Sequence, residues 1–230
     1  LLVLEDFGNN KFSILLKNKK DKKRYYYKKA INFLISLSKI KKPNFINNYN
    51  NKILEAELDL YIKWYLKIKN NNKSVLEWKK IWIKLFNKID DKSTCVVLRD
   101  FHVDNIFYLK ERTGNKKIGL IDYQDSLIGH SAYDLVSLLQ DVRFFLSKDE
   151  QSYLLNYYIK KKNINKNNFK YAFLVLGTQR LFKIIGIFNR LALQDNKEYY
   201  LKFIPRTKKL LKRNLKNPIF NELNNWISNN

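Results

Sequence analysis

The chain has 230 residues, 45% of them hydrophobic and 15% aromatic, which suffices to bury a sizeable core and excludes a disordered chain. A single cysteine, Cys95, excludes an internal disulfide framework, fits a reducing compartment and is interpreted as a small buried residue. The formal net charge of +24 comes from lysines spread among asparagines over the whole length, so we interpret them chiefly as solvated surface and do not expect nucleic acid as a partner.

The start of the chain is predicted to be a short strand over 1–4, followed by a turn or hinge at Glu5-Asp6-Phe7-Gly8. Because the chain opens on the apolar run LLVL and contains no methionine, we expect the natural protein to continue before Leu1. The sequence LLVLEDFGNN has neither the basic leader nor the long apolar stretch of a signal peptide, and we expect a cytoplasmic protein.

Helical periodicity dominates the next 80 or so residues. Apolar side chains recur three and four positions apart over 25–38, 58–66 and 78–85, which predicts three helices before Asp90. The asparagine-rich stretches 44–51 and 70–72 are predicted to be polar connections between these helices.

The period changes after Ser93. Residues 95–98 form a short apolar run, and the runs 106–109 and 118–121 flank the turn-forming Thr113-Gly114-Asn115, which predicts a strand followed by a β-hairpin. Helical spacing returns from Ser131, with further helices predicted over 151–162, 168–193 and 206–215. Three basic residues interrupt the apolar region 171–193, so we interpret it as a core helix rather than a membrane span.

The hairpin sets up a candidate metal site. A turn centred between Thr113 and Gly114 would pair Asn105 with Asp122 at the open end of the hairpin. An amide oxygen and a carboxylate on neighbouring strand ends form the hard-oxygen site that Mg²⁺ shares with substrate phosphates.

The loop before the hairpin carries a catalytic pattern. The order Arg99-Asp100-x-x-x-x-Asn105 matches the R-D-x-x-x-x-N loop of protein kinases, in which the aspartate accepts the proton of the substrate hydroxyl and the asparagine holds metal. Asp122-Tyr123-Gln124 stands in the place of the kinase D-F-G triplet, whose aspartate also binds Mg²⁺. Each acid alone could cap a turn or form a surface ion pair, but the conjunction favours a phosphotransfer site.

A family resemblance accompanies these motifs. The run VVLRDFHVDNIFYL…IGLIDYQDSLIGHSAYDLVSLLQDVR resembles the aminoglycoside phosphotransferase and choline kinase-like family. More narrowly, the segments DYQD, YDLVSLLQD, QRLFKIIGIFNRLA and YLKFIPRTKKLLKRNLKNP are similar to bacterial kinases that phosphorylate the anomeric hydroxyl of N-acetylmuramate and N-acetylglucosamine in cell-wall recycling. LVLEDFG is similar to the hinge between the two kinase lobes.

The resemblance implies a transferase that uses ATP and Mg²⁺ and acts on a hydroxyl of a small sugar. The roles that it implies are as follows: Asp100 is the catalytic aspartate, Asn105 and Asp122 are the Mg²⁺ ligands, the backbone of Glu5, Asp6 and Phe7 contacts the adenine, Asp125 binds a sugar hydroxyl, and Arg99 and Gln124 support the catalytic segment.

Four further residues keep two interpretations each. His102 either fixes the catalytic loop or is a structural histidine, and Asp134 stabilises either a helix end or the catalytic loop. Arg180 and Lys183 either face the substrate cleft, with Arg180 the candidate substrate ligand, or extend to solvent.

The predicted fold class is α+β but mostly α: a protein-kinase-like C-terminal lobe with its hinge and a catalytic β-hairpin, from which the N-terminal lobe is missing. Residues 1–10 are predicted to be the hinge strand and linker, and residues 11–230 the large lobe, with the catalytic segment at 95–143. Without the lysine and flexible loop of a small lobe, the chain alone is expected to be inactive or weakly active. The alternative is a non-catalytic basic kinase-like module that binds RNA or another polyanion. Within the enzyme class, an aminoglycoside, choline or homoserine acceptor also stays open.

Overall fold

The computed structural model describes residues 5–68 and 73–230, so the predicted strand at 1–4 and the stretch 70–72 lie outside the described residues. The helices, in chain order, are α1 (Phe12–Asn18), α2 (Lys23–Leu37), α3 (Asn51–Leu60), α4 (Lys73–Phe86), α5 (Ala132–Leu139), α6 (Lys148–Lys162), α7 (Lys166–Gln194), α8 (Ile204–Leu215) and α9 (Asn221–Ser228). The strands are β1 (Thr94–Val97), β2 (Ile106–Tyr108), β3 (Ile118–Leu120) and β4 (Leu127–His130). The predicted class, mostly helical with a small amount of sheet, is confirmed.

Several boundaries differ from the prediction. The short elements α1, β4 and α9 were not predicted, because seven, four and eight residues give little periodicity to detect. α3 begins at Asn51, inside a predicted connection, since the Asn50 side chain caps it by accepting the Ile53 N–H at 3.1 Å. The predicted helix over 58–66 is α-helical only to Leu60 and continues as a π-helical turn over Tyr61–Leu66.

The chain divides into two compact units. The first comprises Leu1–Asn48 and Lys92–Phe169 and contains α1, α2, the four strands, α5, α6 and the first turn of α7. The second comprises Tyr49–Asp91 and Lys170–Asn230 and contains α3, α4, the rest of α7, α8 and α9.

The first unit buries one face of α2. Tyr27, Ala30, Ile31 and Leu34, which carry the predicted helical spacing, are each at most 4% exposed. β1 pairs antiparallel with β4, and β2 pairs antiparallel with β3. The two connections that follow β1 and β3, residues 98–105 and 121–126, hold the sequence-predicted catalytic and metal residues.

The register of the β2–β3 hairpin differs from the prediction by one residue. Ile106 pairs with Leu120, so paired residue numbers sum to 226 (106 + 120) rather than 227. A short 3₁₀ turn directly before β3 moves the centre of the connection. Ile121 therefore stands across from Asn105, to whose carbonyl it donates its N–H at 3.2 Å, and Asp122 lies one residue further on.

The second unit is built on an aromatic cluster. Phe182 of α7 packs edge-on against Trp78 at 5.0 Å and against Tyr61 at 4.7 Å between ring centroids. Trp226 of α9 lies 4.6 Å from Trp78 and donates its indole N–H to the Ser74 carbonyl at 2.7 Å. Such aromatic pairs contribute about 0.5–1.5 kcal/mol beyond their buried area.

Among the described helices, α7 is long and apolar enough by length and composition to cross a membrane, and 78% of its most apolar window is buried inside the protein. Arg180 is 4% exposed, and Lys183 lies 2.7 Å from the buried carboxylate of Glu57. The interpretation that these two cations extend to solvent is therefore wrong. For Lys183 the physical reason is the counter-charge of Glu57, which offsets the cost of burying an ammonium group.

Candidate active site

Asn105 joins the two connections that carry the predicted catalytic residues. Its side-chain Nδ2 donates to the Asp100 carbonyl at 3.2 Å and lies 3.4 Å from Oδ2 of Asp122. The other oxygen of Asp122, Oδ1, accepts a hydrogen bond from Gln124 Nε2 at 2.7 Å. The structure thus brings four predicted site residues together despite the shift in register.

Asp122 reaches Asn105 because the backbone turns there. Asp122 has a left-handed conformation with φ +61°, which aspartate tolerates better than most residues. The turn directs the carboxylate back toward Asn105, although a regular continuation of the hairpin would place Ile121 in that position.

The catalytic loop contains a second left-handed residue, Arg99, with φ +68°. A bulky residue in this region costs about 1–3 kcal/mol, so its surroundings must hold it there. The Arg99 N–H donates to Asp134 Oδ1 at 2.9 Å, and its carbonyl accepts from Ser137 Oγ at 3.1 Å. Its guanidinium donates to the Asp125 carbonyl at 3.4 Å.

Two buried carboxylates hold the backbone of the loop. Asp134, 3% exposed, accepts the N–H groups of Leu98 at 2.7 Å and Arg99 at 2.9 Å. Asp141, 2% exposed, accepts the Val103 N–H at 3.1 Å. Of the two interpretations of Asp134, the geometry is that of a residue holding the loop, because both bonds go to loop backbone and neither goes to the N-terminus of α5.

Sequence reasoning missed Ser137, Asp141 and Arg143. The Arg143 guanidinium lies 3.7 Å from Asp141 and 3.5 Å from Asp104. It therefore links Asp104, near the C-terminal end of the loop, to Asp141, which also accepts the Val103 N–H. A signal was available: Asp134 and Asp141 are two acidic residues in a mostly apolar stretch directly after the catalytic hairpin, where buried carboxylates require donors.

His102 of the loop and Cys95 of β1 are both buried. His102 is 6% exposed, and its backbone forms a tight turn by donating to the Asp100 carbonyl and accepting from Asn105 N–H, both at 2.9 Å. Burial, with a further contribution from the Asp134 carboxylate, raises the pKa of Cys95 to about 12. The thiol stays protonated at neutral pH, which agrees with a small buried residue and not with a nucleophile.

The predicted adenine segment lies against the hairpin. The Phe7 ring is 5.6 Å from the Phe107 ring, and a Cβ placed on Gly119 would lie 3.0 Å from Phe7 ring carbons. Gly119 therefore leaves the room that Phe7 occupies. The Asn10 carbonyl then accepts the Tyr108 N–H at 2.9 Å, so the linker runs beside β2.

The acidic side chains of this segment bond to other groups of the protein. Glu5 forms an ion pair with Arg112. Asp6 Oδ1 accepts the Gly8 N–H at 2.7 Å, and Gly8 has φ +62°, so the pair forms a tight turn. The backbone of the segment remains as the candidate adenine contact.

The two predicted sugar ligands fall in different units. Asp125 is exposed and is kept next to the catalytic loop by its carbonyl bond to Arg99. Arg180 lies in the second unit, buried in α7.

The residues present fit a magnesium ion. Asp122 offers a carboxylate, and Asn105, which donates through Nδ2, keeps its Oδ1 as a second hard oxygen. Over residues 5–68 and 73–230 there is no group of three or more His, Cys, Asp or Glu side chains that could hold a metal ion by themselves. In phosphotransfer sites Mg²⁺ is usually bound by one or two protein oxygens, and phosphate oxygens and water complete its coordination shell.

The sequence of residues 13–163, more than half of the chain, matches the model of the phosphotransferase enzyme family. The chain belongs to this phosphotransferase family. The family resemblance of the motifs around Asp100 and Asp122 is confirmed.

Curated relatives of this phosphotransferase family member are N-acetylmuramate/N-acetylglucosamine kinases. The protein of Caulobacter vibrioides is 28% identical, over 99% of this chain and 66% of the relative. That of Neisseria meningitidis serogroup B is also 28% identical, over 92% of this chain and 66% of the relative. The chain therefore spans about two thirds of the length of the curated relatives it matches.

Solved structures share the fold. A spectinomycin phosphotransferase in complex with ADP and spectinomycin aligns with a TM-score of 0.56 over 84% of this chain and 65% of its own, at 13% identity. A choline/ethanolamine kinase family protein from Mesorhizobium loti aligns with a TM-score of 0.61 over 90% of this chain and 66% of its own, at 11% identity. The chain thus has the fold of aminoglycoside phosphotransferases and choline kinases.

Proposed function

We propose that the protein is an ATP- and Mg²⁺-dependent kinase that transfers the γ-phosphoryl group to a hydroxyl of N-acetylmuramate or N-acetylglucosamine, the anomeric one, in the cytoplasm. The observation that carries the proposal is the position of the Asn105 side chain, 3.2 Å from the Asp100 carbonyl and 3.4 Å from the Asp122 carboxylate. The curated relatives support the amino sugar as acceptor.

In this proposal the chain's own residues position the reactants. Asp100 orients the acceptor hydroxyl and takes its proton as the oxygen attacks the γ-phosphorus, a role for which its exposed position is suited. Asn105 Oδ1 and Asp122 would hold Mg²⁺, which supplies charge neutralisation at the phosphate oxygens when bound. Arg99, Asp134 and Asp141 act indirectly by fixing the loop that carries Asp100.

The nucleotide would bind next to the linker and the hairpin. The backbone of Glu5, Asp6 and Phe7 would hydrogen-bond the adenine, and Phe7 packs on Phe107 of β2 and close to Gly119 of β3, which keeps the linker against the hairpin. Because the chain spans 66% of its relatives, the activity is proposed for the protein as it occurs in the cell. The large-lobe assignment of residues 11–230 is part of the same proposal.

The proposal is tested by acceptor-dependent ADP release. The protein at its natural length is incubated with Mg²⁺-ATP and N-acetylmuramate, N-acetylglucosamine, choline or an aminoglycoside in turn. We expect turnover with the two amino sugars, a loss of about 10³-fold or more for Asp122→Ala, and a loss of about 10²–10⁴-fold for Asp100→Asn.

The matched control is Asp21→Ala, an exposed acid far along the chain from the site, which should keep the wild-type rate. Full turnover in Asp122→Ala would exclude the metal assignment. Turnover with choline or an aminoglycoside only would keep the kinase assignment and overturn the acceptor.

A further inference from the structure

The second unit contains a groove that the proposed reaction does not use. It has a volume of about 500 Å³ and lies between the π-helical turn, α7, α8 and α9. Its floor is apolar, because Tyr61, Ile185 and Leu211 line it and are each at most 7% exposed to solvent. We call this feature the α8 groove.

Lysines form one rim of the α8 groove. Lys208, Lys212 and Lys216 line it, all three are exposed, and they follow one another four residues apart along α8 and its C-cap. Four residues of helix advance about 6 Å, so the three ammonium groups spread over about 12 Å. None of the three forms an ion pair with a residue in the described part of the chain.

The sequence around this rim carries positive charges and no negative ones. The segment IPRTKKLLKRNLK, residues 204–216, has six basic residues and no acidic one. No acidic residue lines the groove either, among the residues that the structure describes. A row of cations that has no internal counter-charge attracts an anionic partner and repels a cationic one.

The two aromatic side chains at the groove, Tyr61 and Tyr65, are already in contact with other groups. The Tyr65 ring stacks on Tyr61 at 5.1 Å between centroids, and the Lys208 ammonium lies 4.8 Å from the Tyr65 centroid. A single-stranded nucleic acid gains much of its affinity by stacking bases on accessible aromatic rings. The α8 groove has little accessible aromatic surface for such stacking. Its apolar floor is therefore suited to apolar side chains of a ligand.

We propose that the α8 groove binds an acidic amphipathic helix of a partner protein. Apolar side chains on one face of that helix enter the floor formed by Tyr61, Ile185 and Leu211, and carboxylates spaced four residues apart, about 6 Å, face the three lysines. A small anion reaches one or two of these ammonium groups, whereas a helix lying along α8 reaches all three.

The test is a fluorescence-anisotropy titration of the natural-length protein with a defined probe. The probe is a labelled 18-residue peptide with leucines on one helical face and glutamates four residues apart beside it. Comparison probes are a scrambled peptide of the same composition, the same peptide with lysine in place of glutamate, and a labelled oligouridine. We expect saturable binding of the first probe and at least tenfold weaker binding of the other three.

A triple variant locates the site. Lys208→Glu, Lys212→Glu and Lys216→Glu together should weaken binding of the acidic peptide by at least about tenfold. The control makes the same change at Lys52, Lys73 and Lys88, which are exposed in the second unit and do not line the groove, and should bind within twofold of wild type. Circular dichroism verifies that both variants are folded.

Each contrary outcome overturns the proposal. Equal loss in both triple variants would mean general attraction to a basic protein. Equal binding of the scrambled peptide or of oligouridine would mean a polyanion surface without the apolar component. The absence of binding by the acidic amphipathic peptide would exclude the proposed partner class.

Discussion

Asp134 accepts two backbone N–H groups from the loop that carries Asp100, and one of them belongs to Arg99 in its left-handed conformation. A carboxylate can accept both bonds at once, whereas an amide has one oxygen to offer and an NH₂ group that repels the second donor. Hydrogen bonds to a charged acceptor contribute about 1.5–3 kcal/mol each, so Asp134 holds the loop together with Ser137 and Asp141.

Asp134→Asn is expected to lower the free energy of unfolding by about 1.5–3 kcal/mol and to speed the amide hydrogen exchange of Leu98 and Arg99. Urea denaturation and exchange measured by NMR check both effects. The exposed Asp195→Asn should stay within about 0.5 kcal/mol of wild type. Unchanged exchange at Leu98 would show that other contacts hold the loop.

The second unit also contains a buried carboxylate that accepts several hydrogen bonds, Glu57. It is 7% exposed, and it accepts hydrogen bonds from Tyr49 at 2.5 Å, Gln179 at 3.0 Å and Lys183 at 2.7 Å. Burial by itself raises the pKa of Glu57, but the Lys183 charge and the three donors outweigh it, so the pKa lies below its ordinary value.

A depressed folded-state pKa means that ionised Glu57 adds stability above its unfolded pKa and that this stability is lost as the pH falls through the folded value. Glu57→Gln should cost about 3–5 kcal/mol at pH 7, because it leaves the Lys183 charge buried without its partner. The difference between the two proteins should shrink from pH 6 to pH 3. Urea titrations at several pH values measure it, and a constant difference would contradict the assignment.

At the scale of elements, α7 crosses α3 with almost no space between the backbones. A Cβ placed on Gly186 would lie 2.4 Å from the Leu60 carbonyl carbon and 2.5 Å from the Tyr61 nitrogen. This contact lies where α3 becomes the π-helical turn. The backbone rather than a flexible side chain is the neighbour, so the clash cannot be relieved locally.

Gly186→Ala is expected to destabilise the protein by about 1–3 kcal/mol, although alanine favours helix by about 1 kcal/mol over glycine. The control is Ala56→Gly at an exposed position of α3, which isolates the propensity effect and should cost about 1 kcal/mol. Thermal unfolding followed by circular dichroism compares the two. A stabilised Gly186→Ala would mean that α7 can move away from α3.

The elements also show what sequence reasoning could and could not supply. α2, α4 and α7 were predicted because each carries a long apolar stripe. The π-helical turn was not, because its neighbour Gly186 lies more than a hundred residues along the chain. The proximity of Asn105 and Asp122 was predicted from the hairpin. The strand register was not, because the register depends on a 3₁₀ turn before β3, and Asp122 reaches Asn105 only through its left-handed backbone conformation.

At the scale of the whole molecule, the dominant quantity is the net charge of +24 over 230 residues. Like charges on a compact chain repel one another and destabilise the folded state, and dissolved salt screens that repulsion. Ion pairs such as Lys84–Glu222 and Lys79–Asp59 offset only a small part of it.

The melting temperature is therefore expected to rise by a few degrees between 50 and 500 mM NaCl. The two triple Lys→Glu variants, with a net charge of +18 (24 − 6), should show a smaller rise. Differential scanning calorimetry at fixed pH measures both. A melting temperature that falls steadily with salt would show that ion pairs, not repulsion, dominate.

Three side chains that bond to the backbone of the catalytic loop lie in one short stretch of the chain. Asp134, Ser137 and Asp141 hold the loop backbone, and β1 pairs with β4 within the same 48 residues, 94–141. Selection on the site can therefore act on one contiguous piece of the gene. The many lysines of the rest of the chain take no part in these bonds, so their number does not disturb the loop.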